Sequence, residues 1–412
     1  MRLPPLNRRE AAHCPRCGQQ VASGRRMDHR QVAACSAAAL LFLLMALGFD
    51  FLSLDLGAHG QTIDVPGAII AMLVYGHPLV AASVLLAVVV LPALWLSGAL
   101  YLTICLTLQR RLAAANQVAH GLRWLQPWLM ADVFMVGAMI SLIKIVILGT
   151  IGLGPAFYAF IVYAGLLLVT LALFDVSDFW RRFARVGSAQ ARPGRDAAGQ
   201  GLARCDACGQ PFDCRATSTC SYCGHRHPLL GAPRTQWTLA MIGTAAILLV
   251  PANLAPMLYS YSLGWSTAST IIGGVQQLIA EGSWPIAVLI FIASIVVPIA
   301  KILSLGWLCL QTRWPRPRVG AGDCWLYRTS LFIGRWSMID IFVVTVVSAL
   351  VNVGQVAAAS PGPAVLPFAG AVILTMIAAI LFDPRALWRR GQTAPTQADG
   401  SASGYEYEYP HG

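Results

Sequence analysis

The stretch "CDACGQPFDCRATSTCSYCGHRH" (205–227) holds two Cys-x-x-Cys knuckles, Cys205/Cys208 and Cys220/Cys223, with eleven residues between them. Gly209 and Gly224 follow the knuckles directly. Two thiol pairs at this spacing suit tetrahedral zinc, and the glycines permit the tight turns. A closed four-thiolate set leaves no coordination position for a substrate, so the chemistry expected of it is structural. Thiol–disulfide exchange is the competing chemistry, but no thioredoxin-like βαβ pattern surrounds the pairs. Cys214 is spare. Near the N-terminus "HCPRCGQQ" supplies Cys14 and Cys17 and no second knuckle. One structural Zn2+ per chain is expected, at Cys205, Cys208, Cys220 and Cys223. Cys14 and Cys17, completed by His13 or His29, are a weaker second site; the alternative is an unmetallated pair that packs against the full ribbon.

A second set of residues sits where charge is expensive. The chain has only two lysines, Lys144 in "SLIKIVIL" and Lys301 in "PIAKILSL", both in long apolar runs. A charge at mid-bilayer costs about 2.5–3.5 kcal/mol on insertion scales. Lys301 and Asp340 fall at similar depth on consecutive antiparallel spans, which predicts a buried pair. Ser337, Asp340, Ser348 and Asn352 share one stripe about 120° wide at helical periodicity. Asn253 lies between Pro251 and Pro256 in "VPANLAPM", where the prolines are expected to break the helix and free its carbonyls. In the first half Asp132, Ser141 and Lys144 are the counterparts, and Lys144 aligns with Asn352. Desolvated lysine can titrate, and arginine cannot, so a Lys301–Asp340 pair is what a proton relay needs. Polar contacts that glue helices together are the rival reading.

The elements that carry these residues are membrane spans. Of 412 residues, 57% are hydrophobic and 11% charged, and the mean hydropathy is +0.64. Soluble domains carry about 25% charge. Eight apolar runs are long enough to cross a bilayer, near 33–56, 78–108, 128–148, 155–175, 237–259, 285–310, 331–353 and 364–382. All arginines lie in residues 1–32, 109–126, 178–236, 311–335 and beyond 383, and the alternate connections hold none. This asymmetry places both termini in the cytoplasm. The net charge of +11 is accordingly inner-face charge, and no nucleic-acid motif accompanies it.

The chain is also duplicated. "PWLMADVFMV" (127–136) matches "RWSMIDIFVV" (335–344), and "LFD" recurs at 173–175 and 381–383, each at a spacing of 208. Four spans per copy is an even number, so the copies are parallel repeats. The reading is an all-α polytopic membrane protein of eight transmembrane helices in two parallel four-helix repeats, with a small cytoplasmic zinc ribbon. Its parts are a degenerate ribbon half (1–32), the first repeat (33–183), a linker (184–203), the four-cysteine ribbon (204–230), the second repeat (231–390) and a disordered tail (391–412). "DVSDFWRRF" (175–183) and "DPRALWRR" (383–390) read as interfacial helices with Trp180 and Trp388 at the headgroups.

The Cys-x-x-Cys ribbon before each repeat, "VPANLAPM", "VPIAKILSL" (297–305), "GRWSMIDIFVV" (334–344) and "LFDPRALW" (381–388) together resemble the paraquat-inducible protein A family over nearly the whole chain. The first ribbon departs by lacking its second knuckle, and the first repeat has no match to "PANLAP". The resemblance implies a bacterial inner-membrane subunit that exchanges phospholipid with a periplasmic MCE-domain tunnel protein. The residues themselves offer no nucleotide-binding loop, Ser-His-Asp arrangement or catalytic zinc pattern, so no enzyme is expected. The alternatives are an independent small-molecule or ion transporter and a non-transporting zinc- or thiol-sensing scaffold.

Overall fold

In the computed structural model the described residues are 11–13, 20–23, 28–55, 60–74, 78–110, 112, 114–145, 150–183, 202–205, 208, 211–213, 219–220, 223–225, 233–262, 265–280, 282, 284–312, 321–336, 338–339, 342–343 and 357–382. Helix α1 (His29–Gly48) begins on Asp28, whose carboxylate accepts the Arg30 N–H at 3.0 Å, a favoured N-cap. Its buried residues Val32, Ser36, Ala39, Leu43 and Ala46 recur every three or four positions and make one stripe. Leu41 and Leu44 on the other side are 58% and 66% exposed. A helix apolar on both its packed and its open side belongs in lipid.

The same logic builds α2 (Val65–Val74), α3 (Pro78–Val84), α4 (Leu91–Thr107), α5 (Ala115–Leu125), α6 (Ala131–Ile145), α7 (Pro155–Leu173) and α8 (Val176–Phe183). The second half supplies α9 (Pro233–Leu254), α10 (Ile271–Ala280), α11 (Trp284–Phe291), α12 (Val297–Gln311), α13 (Ala321–Trp336) and α14 (Val365–Leu381). Among the described residues, five helical segments have the length and apolarity of a span: 29–48, 85–107, 155–173, 235–254 and 287–311. Helices α6 and α14 are shorter, at 15 and 17 residues. Most of the expected span 331–353 lies outside the described residues, as do the tail and most of the linker.

The chain also forms strands that its composition did not lead us to expect. Two short hairpins, β1 (Ala11–His13) with β2 (Gln20–Ser23) and β6 (Leu202–Arg204) with β7 (Pro211–Asp213), precede the two repeats. The arginine-free connections carry two three-stranded antiparallel sheets, which also take residues 52–55 and 258–259 from the ends of the expected spans 33–56 and 237–259. One has the order β4-β3-β5, from β3 (Leu52–Asp55), β4 (Gly60–Ile63) and β5 (Thr150–Leu153). The other has the order β10-β8-β9, from β8 (Leu258–Ser262), β9 (Trp265–Ser269) and β10 (Ala357–Pro361). In each, the strand leaving the first helix of the repeat is central. Leu52 faces Ile63 and Leu153, and Leu258 faces Ser269 and Pro361. The two sheets are the same object built twice.

The duplication extends to single atoms. Gly154 N–H donates to the Phe51 carbonyl at 3.1 Å, and Gly362 N–H to the Met257 carbonyl at 2.9 Å. A Cβ at Gly154 would collide with the Asp50 carbonyl, and one at Gly362 with the Pro256 carbonyl. Neither backbone can yield without breaking the sheet-to-helix corner. Gly154→Ala and Gly362→Ala are each expected to cost on the order of 2–3 kcal/mol, seen as a lower melting temperature of the detergent-purified protein; an unchanged melting temperature would refute the corner's role.

Leu85–Val90 and Ile292–Val296 are π-helical turns, each ending two residues before a proline, Pro92 and Pro298. The halves meet through equivalent residues. Phe134 and Phe342, 208 apart in sequence, stack edge-on with ring centroids 5.5 Å apart. A contact between a residue and its own counterpart marks the pseudo-twofold axis between the repeats. Gly137 allows the approach, since a Cβ there would sit 3.1 Å from that of Phe342.

Candidate metal centre and buried lysine

The β6–β7 hairpin presents Cys205 and Cys208 in its turn, with the Cys208 N–H 3.5 Å from the Cys205 Sγ. The second knuckle closes by a bond of 2.8 Å from the Gly224 N–H to the Cys220 carbonyl. Gly224 has φ +71°, a conformation glycine adopts at no cost. The knuckles face each other. Cys205 and Cys223 Sγ atoms are 3.6 Å apart, Cys208 and Cys220 Sγ likewise 3.6 Å, and all four lie within 4.8 Å of one another. Metal–sulfur bonds of about 2.3 Å in a tetrahedron put sulfurs about 3.8 Å apart. The four thiols therefore fit a tetrahedral metal ion. The hydrogen bond shared with Cys205, ahead of burial, pushes the Cys223 thiol up to about 12. Sulfurs packed this closely ionise together only around a cation.

The expected second site falls differently. The β1–β2 hairpin repeats the first half of the ribbon, but Cys14 and Cys17 in its turn lie outside the described residues.

The ribbon docks on the first repeat, a contact absent from the sequence reading. Its Cys205, Cys208, Phe212 and Cys220 are buried in one apolar core with α5 and α8. The His120 ring on α5 lies 5.0 Å from that of Trp180 on α8 and 5.8 Å from that of His225, and it bonds the Cys223 backbone. Burial, then the neighbouring His225, pushes the His120 pKa below its ordinary value. Trp180 is 0% exposed. It is thus a packing residue against His120 and Phe179 and not the headgroup anchor expected of α8. The only sequence signal for this was His120, in the arginine-bearing connection 109–126.

Lys301 is the buried cation that the sequence singled out. On α12 the buried positions Pro298, Lys301, Leu305, Leu308 and Cys309 form one stripe, so the lysine faces the bundle. It is 3% exposed, and its Nζ has no hydrogen-bond partner among the described residues. Ser304 donates to the Lys301 carbonyl at 3.0 Å and shares a 2.7 Å hydrogen bond with Ser330 of α13. A buried ammonium needs a counter-charge. The expected partner Asp340, with Ser348 and Asn352, lies outside the described residues. The first repeat fills the matching place, 206 residues earlier, with Trp95. Its indole donates to the Leu122 carbonyl at 3.2 Å and packs edge-on against Phe174 at 5.9 Å.

Asp132 is half-buried in the first turn of α6, where a carboxylate complements the free N–H groups. Lys144 falls in the last turn of α6, and its side chain is outside the description. Helix α9 is not broken at Pro251 but runs through it to Leu254. Proline there removes one backbone bond, which a packed membrane helix tolerates. Asn253 Nδ2 donates to the Leu249 carbonyl at 2.8 Å, and its buried Oδ1 has no partner among the described residues.

These features define a multi-pass helical membrane protein built by duplication, with a buried four-thiol cluster seated on its first half. The chain belongs to the paraquat-inducible protein A family, whose model matches residues 29–184 and 235–392. It is 34% identical to the Escherichia coli K12 "Intermembrane transport protein PqiA" over 94% of this chain and 93% of the relative. It is 29% identical to "Lipophilic envelope-spanning tunnel protein A" of the same strain, over 96% and 91%. A "Probable intermembrane transport protein" of Haemophilus influenzae is 27% identical over 93% and 92%. No solved structure matches the chain. The relatives are named for intermembrane transport and for an envelope-spanning tunnel.

Proposed function

We propose that the chain is an inner-membrane subunit that passes phospholipid to or from a periplasmic MCE-domain tunnel protein. The likeness to the intermembrane transport protein over 94% of the chain carries this reading. Two parallel four-helix repeats of eight spans hold the path, both termini lie in the cytoplasm, and the sheets of the arginine-free connections face the periplasmic partner. The thiol cluster holds one structural zinc that ties the cytoplasmic segment between the repeats to α5 and α8. Lys301 and Asp340 form the polar site of the second repeat and couple transport to proton movement.

Photo-crosslinking in living cells tests this reading at two positions. p-Benzoylphenylalanine at Ala268, exposed on β9, is expected to capture an MCE-domain protein. The same group at Ile302, beside Lys301, is expected to capture phospholipid. Capture of neither would leave an independent transporter as the better reading, and capture of a cytoplasmic protein at Ala268 would invert the topology.

A further inference from the structure

Both repeats contain a π-helical turn that ends two residues before a proline. The turns Leu85–Val90 and Ile292–Val296 close on the same bonds: the Leu91 N–H reaches the Leu86 carbonyl, and the Val297 N–H reaches the Ile292 carbonyl. Pro92 has no N–H to return to the Val88 carbonyl four residues back, and Pro298 has none for the matching Ser294. Val88 and Ser294 are both 0% exposed, so neither carbonyl can turn to water. A buried carbonyl deprived of its α-helical donor is a weak point in a helix, and π-helical turns recur at functional sites.

The repeats answer this need differently. In the first, Tyr163 of α7 donates its hydroxyl to the Val88 carbonyl at 3.2 Å, across 75 residues of sequence. The tyrosine is 0% exposed, and its ring packs against Phe160 at 5.2 Å. In the second, the residue 208 positions later is Ala371, buried at 2% exposure. A methyl group donates nothing. The Ser294 hydroxyl does not substitute, because it donates backwards to the Ile290 carbonyl at 2.7 Å. Among the described residues no side chain donates to the Ser294 carbonyl.

We infer that Tyr163 is a latch that fixes the π-helical turn of the first repeat, and that the second repeat, which lacks it, is the half whose bundle changes shape during transport. The wedge next to each turn differs in the same direction. Trp95 ties α4 to the Leu122 carbonyl of α5, whereas Lys301 occupies the corresponding place with its Nζ unbonded among the described residues. Among the described residues, side chains donate to two buried carbonyls of the first copy and to neither counterpart in the second, where Ser304 and Ser330 join α12 to α13 instead. The inference rests on the reading of Lys301 and Asp340 in the second repeat as the site that couples transport to proton movement. Its test reads backbone opening and not transport, so either can fail alone.

Hydrogen exchange of the full-length protein in lipid nanodiscs, followed by mass spectrometry, decides it. In the parent protein, peptides covering 85–91 are expected to exchange more slowly than those covering 292–297. Tyr163→Phe keeps the ring and removes only the donor. It is expected to raise exchange at 85–91 at least about 5-fold, the loss of one hydrogen bond, and to leave 292–297 unchanged. Equal protection of the two turns in the parent, or no response to Tyr163→Phe in a monodisperse protein, would overturn the latch.

Discussion

Protein carrying Cys205→Ser and Cys208→Ser is expected to hold near zero zinc, where the parent holds about one ion per chain. The effect is large because the ribbon has little else to fold on. Its hairpin strands are three residues each, far too short to persist alone. Structural zinc in isolated peptides binds with about 10–16 kcal/mol, so the metal and the fold of 204–225 stand or fall together. Loss should also free the ribbon from α5 and α8, seen as new tryptic cleavage between residues 204 and 234 while the membrane helices stay protected. Zinc retained in the double variant would refute the site. Two ions in the parent would show that Cys14 and Cys17 complete a second one.

Lys301→Met is expected to leave the protein inserted at parental levels but no better than a deletion in genetic complementation. Methionine matches the aliphatic stem and removes the ammonium, so packing on the buried stripe of α12 is kept. Lys301→Arg tests the chemistry. Arginine keeps the charge and cannot give up its proton, so it too is expected to fail. Full function with arginine would make Lys301 a structural cation and sink the proton relay. Function with methionine would reduce the polar residues to helix contacts. Lys144→Asn is expected to be tolerated, because asparagine is the residue that the second repeat holds at the equivalent position, Asn352.

The positions of the chemistry were legible because each rested on a local or periodic signal. Knuckle spacing located Cys205, Cys208, Cys220 and Cys223, and apolar length located the helices. The constant offset of 208 located equivalent residues before any contact was known, and Phe134 and Phe342 proved to be partners. Lys301 stood out because lipid makes its placement costly, and its side chain is indeed buried.

What escaped had no local signature or a misleading one. The strands β8 and β9, "LYSYS" and "WSTAS", alternate and are rich in aromatic and hydroxyl residues, a strand pattern masked by the apolar runs beside them. Proline at 251 implied a broken helix, but packing carried α9 through it. Trp180 has the composition of a headgroup anchor, yet it is buried against His120 of α5. Sequence alone determined which segments are apolar enough to enter a membrane, that the unit is duplicated and which thiols can share a metal ion. Those properties follow from transfer free energy and from chain spacing, both short-range. Only the tertiary structure decided that the ribbon between the repeats sits on the first, that Tyr163 reaches Val88, and that Trp95 fills the place Lys301 holds in the second. Those contacts join residues far apart in sequence, where shape complementarity between helices, and not the properties of any segment, selects the partner.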